Sequence, residues 1–175
     1  MDKNKIVFQS ERMEIKTLQP SDVGESYVNW LNNPKINQFL EARFESHDIK
    51  GVKRFVENCL GSPRTFLLGV FLNEKVHIGN IKLEINPHHS RAEIGILLGD
   101  PSSWGKNLAT EALISTTEYF AKTFKIRKFS AGMYEDNKGS LKAFLRAGFK
   151  KCGHLEQHVL VAGTPKDCLL VEKVF

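Results

Sequence analysis

The chain has 175 residues, 41% of them hydrophobic, and a formal net charge of +5, a size that suits one domain, residues 1–175, with a sizeable core. Its Lys and Arg residues are scattered, so the excess charge suits an anionic small ligand as well as nucleic acid, and without a basic block or an aromatic-rich strand motif nucleic acid is not expected. Cys59, Cys152 and Cys168 lack the close pairing of a disulfide, redox or zinc site, the longest apolar run (Phe66 to Leu72) is too short to span a bilayer, and Met1 to Lys5 leads into no signal core, which together predict a cytoplasmic protein without a membrane span.

In chain order, Arg12 to Leu18 alternates as a half-buried strand. Pro20-Ser21-Asp22 breaks it and offers an N-cap at Asp22, with Glu25 three residues on as in a capping box. A first helix follows, with Val23, Tyr27, Trp30 and Leu31 on one face, and Asn32-Asn33-Pro34 ends it. Lys35 to His47 is irregular and reads as a loop, either on the acceptor side of a site or simply covering the core. A second helix is predicted from about Ser46 to Leu60. Thr65 to Leu72 and Lys75 to Ile85 read as strands joined at Asn73-Glu74, and Arg91 to Gly99 as a third strand of an antiparallel meander.

Asp100-Pro101-Ser102-Ser103 supplies turn residues before a helix on which Ala109, Leu113, Thr116, Phe120 and Phe124 share a face. The first turn of that helix presents unpaired N–H groups and the positive end of the helix dipole, with Gly105 and Ala109 leaving room for a phosphate. Ile126 to Tyr134 reads as a strand, Lys138 to Ala147 as a helix with Leu141, Phe144 and Leu145 inward, and the remainder as two strands around Ala162-Gly163-Thr164-Pro165. The order β-α-α-β-β-β-α-β-α-β-β defines a mixed α/β layer structure.

The helix start, Trp104-Gly105-Lys106-Asn107-Leu108-Ala109-Thr110-Glu111-Ala112, is not a nucleotide-binding P-loop. Gly99 and Gly105 are separated by five residues, not four, and Asn107 stands where Ser or Thr is needed. It resembles the pyrophosphate-binding signature of the GNAT N-acetyltransferases, Arg/Gln-x-x-Gly-x-Gly/Ala, above all the RimJ/RimL-like form Trp-Gly-Lys-Gly-Tyr-Ala-Thr-Glu-Ala. Asn107 replaces the central glycine and Leu108 the aromatic. The element order is also that of the GNAT fold, so the resemblance covers nearly the whole chain.

The resemblance implies an α/β (α+β) fold with a mixed, mostly antiparallel central sheet, about four flanking helices and a splayed strand pair holding acetyl-CoA. Cofactor contacts would come from Leu97, Leu98 and Gly99 through their main chain, from Trp104, Gly105, Lys106, Asn107, Leu108, Ala109 and Thr110 at the helix start, and from Asn137, Ser140 and Phe144 in the second cofactor segment. It implies acetyl transfer to a primary amine by direct attack in a ternary complex, with a protein amino-terminal residue, a nucleotide-linked amino sugar, a polyamine or an antibiotic as acceptor. Monomer and homodimer both stay open, and a catalytically silent CoA-binding module is the reading of another class.

Glu93 lies eleven residues before Trp104, the spacing of a catalytic glutamate in relatives that this strand resembles. It is the candidate general base, or a structural glutamate paired with Arg91; His158 is the alternative base. Many relatives carry a thiolate-protonating tyrosine where this chain has Phe144, a ring with no proton to give. Ser140, one turn earlier, is the substitute by position or else a cap, and Tyr134 is a further donor. His154 and His158 share a predicted strand face and His88-His89 a loop, but no constellation completes four metal ligands, and no metal is expected.

Overall fold

Thr65–Leu72 is apolar nearly throughout because it is buried on both faces, and it lies inside an eight-stranded sheet. The computed structural model describes residues 3–73 and 75–175. The strands are β1 (Val7–Gln9), β2 (Met13–Thr17), β3 (Thr65–Leu72), β4 (His77–Asn86), β5 (Arg91–Leu98), β6 (Lys128–Tyr134), β7 (Lys150–Val161) and β8 (Thr164–Val174). They are ordered β1-β2-β3-β4-β5-β6-β8-β7. Every neighbouring pair is antiparallel except β5 and β6, which run parallel.

Alternate residues of β3 serve two cores. Phe66, Leu68 and Val70 join Leu108, Ala112, Leu113, Phe120 and Phe144 beneath α4 (Leu108–Phe124) and α5 (Lys138–Arg146). Leu67 and Phe71 join Tyr27, Trp30, Leu31, Val52 and Val56 beneath α1 (Glu25–Asn32) and α3 (Ile49–Gly61). The predicted inward face of α4 is present at Leu113, Thr116 and Phe120, all fully buried, with Phe124 packed against them.

Several predicted boundaries move. Asp22 does not cap α1, whose N-cap is Gly24. Pro20 instead starts a short 3-10 turn, and Asp22 closes it by accepting from the Gln19 N–H at 2.8 Å. The α3 helix begins later than predicted, because the Asp48 side chain caps it by accepting from Gly51 N–H at 2.6 Å. The segment read as an irregular loop holds two short helical turns, α2 (Pro34–Asn37), capped by Asn33, and a 3-10 turn over Glu41–Phe44. β1 was not predicted; three residues are too few to show a period. Of the predicted Asn73-Glu74 turn, Glu74 lies outside the described residues, and Lys75 N–H closes the hairpin on Leu72 carbonyl at 2.7 Å. The last hairpin turns at Ala162 (φ 49°) and Gly163 (φ 80°), as expected near that dipeptide.

Candidate active site

β5 and β6 pair only where Arg91–Glu93 meets Lys128–Ser130. Beyond that point β5 runs to Leu98 and β6 to Tyr134 without pairing to each other, while β5 stays laddered to β4 and β6 to β8. Their outer edges are therefore satisfied and their facing edges are open. Gly99 N–H donates to the Ile78 carbonyl on β4 at 2.9 Å. Because successive N–H groups in a strand alternate between its edges, Leu97 and Gly99 are committed to β4, whereas Ile96 and Leu98 face the gap. This corrects the predicted main-chain set: Leu98 stays, Ile96 is added, and the Leu97 and Gly99 amides are occupied. Gly99 is needed for another reason, since a Cβ there would lie 1.9 Å from the Trp30 ring.

The α4 start closes one end of the gap. Trp104 Nε1 donates to the Leu98 carbonyl at 2.8 Å, tying the loop back to the strand. Gly105 has φ +74° and open space where a Cβ would stand. Asn107 is the N-cap residue and takes the left-handed conformation (φ 61°, ψ 12°) that asparagine tolerates. Its side chain does not cap; Oδ1 accepts from Arg146 of α5 at 2.5 Å. The first-turn N–H groups of α4 thus have no intrahelical partner and no side-chain cap. Glu111, one turn in, accepts from Ser10 Oγ (2.7 Å), Arg12 N–H (2.8 Å) and Arg12 Nε (2.7 Å), and Arg12 also reaches the Lys106 carbonyl (3.1 Å). Burial works against the Glu111 charge, but these bonds outweigh it and hold the carboxyl below its ordinary pKa.

The α5 start closes the opposite wall. Asn137 is the N-cap of α5, its Oδ1 accepting from Ser140 N–H at 3.1 Å. Its Nδ2 has no hydrogen-bond partner among the described residues, and the cap is Asn137, not Ser140. Ser140 is half-buried, and its hydroxyl has no hydrogen-bond partner among the described residues. Phe144 is buried edge-on against Phe149 at 4.9 Å.

Two cavities open on this gap. One, of about 430 Å³, is lined by Ile96, Leu98, Trp104, Gly105, Ala109 and Lys138. The other, of about 640 Å³, is lined by Leu31, Val52, Phe55, Leu67, Gly95 and Gly132, with Glu41, Glu45, Asp48, His47 and Lys82 around it. Leu97, Asn137 and Ser140 line both, as do Phe39, Leu40 and Ile96. Phe144 lines the larger one. Lys106, Asn107, Leu108 and Thr110 line neither: Leu108 is in the core, and Thr110 Oγ1 reaches the Ala143 carbonyl at 3.5 Å.

The candidate bases are placed elsewhere. Glu93 is exposed, stands opposite Glu84 where β5 and β6 are still paired, and lines neither cavity. His158 is exposed on β7 and also lines neither. The shared face predicted for His154 and His158 is broken by a register shift between Leu155 and Val159, with Gln157 at φ 48°. His154 pairs with Asp167 at 2.7 Å, and Glu135 completes a group of three potential ligand atoms within 4.8 Å. Tyr134 is not a free donor. Its hydroxyl donates to Glu41 Oε1 and accepts from Arg43 at 3.0 Å. Sequence reasoning did not single out Glu41, Glu45 or Asp48: the first two lie in a stretch without periodicity, and Asp48 falls inside the predicted second helix.

Under the larger cavity, His77 stacks on Phe71 (4.7 Å) with Trp30 and Tyr27 at its edges. Its Nε2 donates to the Gly79 carbonyl at 2.9 Å, which can only accept, so Asn80 Oδ1 at 3.0 Å accepts from the same nitrogen. Burial, the largest cause, lowers the His77 pKa from its ordinary 6.5.

Residues 12–150 match the acetyltransferase (GNAT) domain family. An uncharacterized N-acetyltransferase of Bacillus subtilis (strain 168), YoaA, is 33% identical over 79 residues, which is 45% of this chain and 44% of that protein, so the match spans less than half of this relative. Among solved structures, RimL, a ribosomal L7/L12 alpha-N-protein acetyltransferase in complex with coenzyme A, superposes with a TM-score of 0.87 at 18% identity, covering 97% of this chain and 98% of that one. Spermidine N-acetyltransferase from Vibrio cholerae, in complex with CoA and spermine, gives 0.82 at 20% identity over 93% and 95%. At these identities the two structures establish a shared fold. The chain belongs to the acetyltransferase (GNAT) domain family.

Proposed function

We propose that this protein transfers the acetyl group of acetyl-CoA to a primary amine by direct attack in a ternary complex, with the amino-terminal residue of a protein as acceptor. The observation that carries the reading is the gap between β5 and β6, which holds a cavity on either side and shares Leu97, Asn137 and Ser140 between them. A cofactor and an acceptor entering from opposite sides would meet there. Acetyl-CoA, when bound, supplies an acetyl group activated as a thioester.

The residues present fit that group. The open amides of Ile96 and Leu98 offer the hydrogen bonds of a strand edge to its amide-bearing arm, and Asn137 Nδ2 offers another. The uncapped first turn of α4, with open space at Gly105, suits its diphosphate. The Ser140 hydroxyl, without a partner among the described residues and beside both cavities, would give a proton to the leaving sulfur. The acceptor cavity has the size of a small-molecule site, but its lining includes the exposed residues Glu41, Glu45, Ser46, Asp48 and Phe55, so an amino-terminal residue can enter while its chain stays outside.

The test is acetyl-CoA consumption with a panel of peptides, polyamines and nucleotide-linked amino sugars, beside a thermal-shift titration with acetyl-CoA. Stabilisation by acetyl-CoA together with turnover of peptides is expected. No stabilisation would remove the cofactor assignment; turnover of polyamines or amino sugars alone would replace the acceptor. Binding with no turnover across the panel would favour a silent CoA-binding module.

A further inference from the structure

The larger cavity combines an apolar wall with an anionic rim, in a chain whose net charge is +5. Six titratable side chains line it; Tyr27 is buried in the core, and four of the other five are engaged. Asp48 caps α3, His47 Nε2 donates to the Ala42 carbonyl at 2.7 Å, Lys82 pairs with Glu84 at 3.1 Å, and Glu41 accepts from Tyr134. Glu45 has no partner among the described residues. Glu41 differs from Asp48 in what holds it. Asp48 is bound through Oδ1 to the main chain of its own helix, whereas Glu41 accepts through Oε1 from the neutral hydroxyl of a residue on β6; the second oxygen of each has no partner among the described residues.

Its holder is itself rigid. Tyr134 is 8% exposed, at the end of β6. Burial and the adjoining Glu41 raise its pKa, so it stays a hydroxyl donor. Arg43 donates to that hydroxyl at 3.0 Å, lies over its ring at 5.0 Å, and also donates to the carbonyls of Gln38 (3.2 Å), Leu40 (3.2 Å) and Leu160 (3.4 Å). The turn bearing Glu41 is thus fastened to β6 and to the β7–β8 hairpin. A carboxylate with one oxygen fixed and one free, beside an apolar cavity, is a receptor for an ammonium group.

We propose that Glu41, positioned by Tyr134, receives the ammonium of the acceptor, which gives up one proton to solvent before the neutral amine attacks, and that the wall of Leu31, Val52, Phe55 and Leu67 selects an acceptor whose amine-bearing carbon carries a bulky apolar side chain. The inference rests on the acetyltransfer reading above and narrows its substrate class. A polyamine has positive charges along its length and no branched apolar group, so it would leave this wall unfilled.

The experiment compares leucine amide, phenylalanine amide, glycine amide and spermidine as acceptors with acetyl-CoA. It also titrates leucine amide calorimetrically into the CoA-bound protein, an arm that needs no turnover. Leucine amide should exceed glycine amide in kcat/KM by about tenfold or more. Glu41→Gln, an exposed substitution, should raise KM for leucine amide by about tenfold to a hundredfold and weaken its calorimetric binding alike, with acetyl-CoA stabilisation unchanged. Phe55→Ser should narrow the leucine-to-glycine ratio. Tyr134→Phe should raise KM less, and add nothing on top of Glu41→Gln, because a holder without its carboxylate has no role left.

Unchanged leucine amide binding in Glu41→Gln would overturn the assignment of Glu41. Glycine amide or spermidine used as well as leucine amide would overturn the selection by the wall. Leucine amide binding that depends on Glu41, without transfer to any acceptor, would uphold the site and remove the acetyltransfer reading instead.

Discussion

The two sides of the cleft are built from different groups. Toward α4 the wall is main chain: the Ile96 and Leu98 amides, the first turn of the helix, and a glycine whose missing Cβ leaves space. Toward α3 it is side chain, supplied by residues 39–48 and by the inner faces of α1 and α3. Main-chain donors are fixed by the sheet ladder and hold their place whatever side chains surround them, so one cofactor geometry can persist while the acceptor wall is rebuilt residue by residue. The difference separates a rigid half from a selective half.

The largest test falls on the rigid half. Gly105→Glu places bulk and negative charge where the helix dipole favours an anion, at a φ of +74° that side chains rarely adopt, so acetyl-CoA binding should be lost in a folded protein. Acetyl-CoA stabilising this variant as it does the parent would show that the diphosphate binds elsewhere. Gly99→Ala strikes the seam between the halves, since its Cβ would overlap Trp30. Overpacking there should cost about 1–3 kcal/mol, a Tm drop of roughly 3–10 °C in calorimetry. A drop under a degree would mean that Trp30 swings aside freely and that the seam is soft.

A smaller effect should come from pH, and from the acceptor half. His77 titrates below its ordinary 6.5 in the folded chain because it is buried. The unfolded chain therefore takes up this proton first as pH falls, so the His77 contribution is complete above pH 6.5 and is lost as pH falls through the folded value. Denaturant titrations between pH 7.5 and 5 should show that decline, and His77→Gln should make it shallower. An unchanged slope in the variant would assign it to other groups. Smallest of all, Asn107→Gly should leave Tm within about 4 °C, because glycine accepts the φ of 61° and gives up only the Arg146 contact. A large loss of acetyl-CoA affinity in this variant would instead make Arg146 part of the phosphate site.

The rigid half was the legible one. Trp104, Gly105, Ala109, Asn137 and Ser140 line the smaller cavity, whereas Lys106, Asn107, Leu108 and Thr110 of the same helix start do not; a helix start preceded by a glycine and a strand leaves a local pattern. Of the strand amides only Leu98 was named and Ile96 was not, because the edge an N–H faces depends on the register of a partner strand. Glu93 was chosen by spacing along β5, but spacing does not say where β5 and β6 part, and Glu93 sits on the paired side of that point. The acceptor half was nearly silent. Glu41 meets Tyr134 across 93 positions of sequence, and a 3-10 turn has no periodicity that would mark it.

The grip of Ser10 and Arg12 on Glu111 joins residues about a hundred positions apart, at the turn where a diphosphate would sit. A ligand that orders the α4 start must therefore also favour the docked state of the first hairpin, and the docked hairpin must favour the ligand to the same degree. Amides of β1, the edge strand, and of β2 beside it should exchange with deuterium more slowly once acetyl-CoA is bound, although they do not line the cleft. Arg12→Ala should uncouple the two, so that the hairpin frays at one rate whether or not the cofactor is present. The first hairpin would then be a part of the molecule that senses occupancy without touching what occupies it.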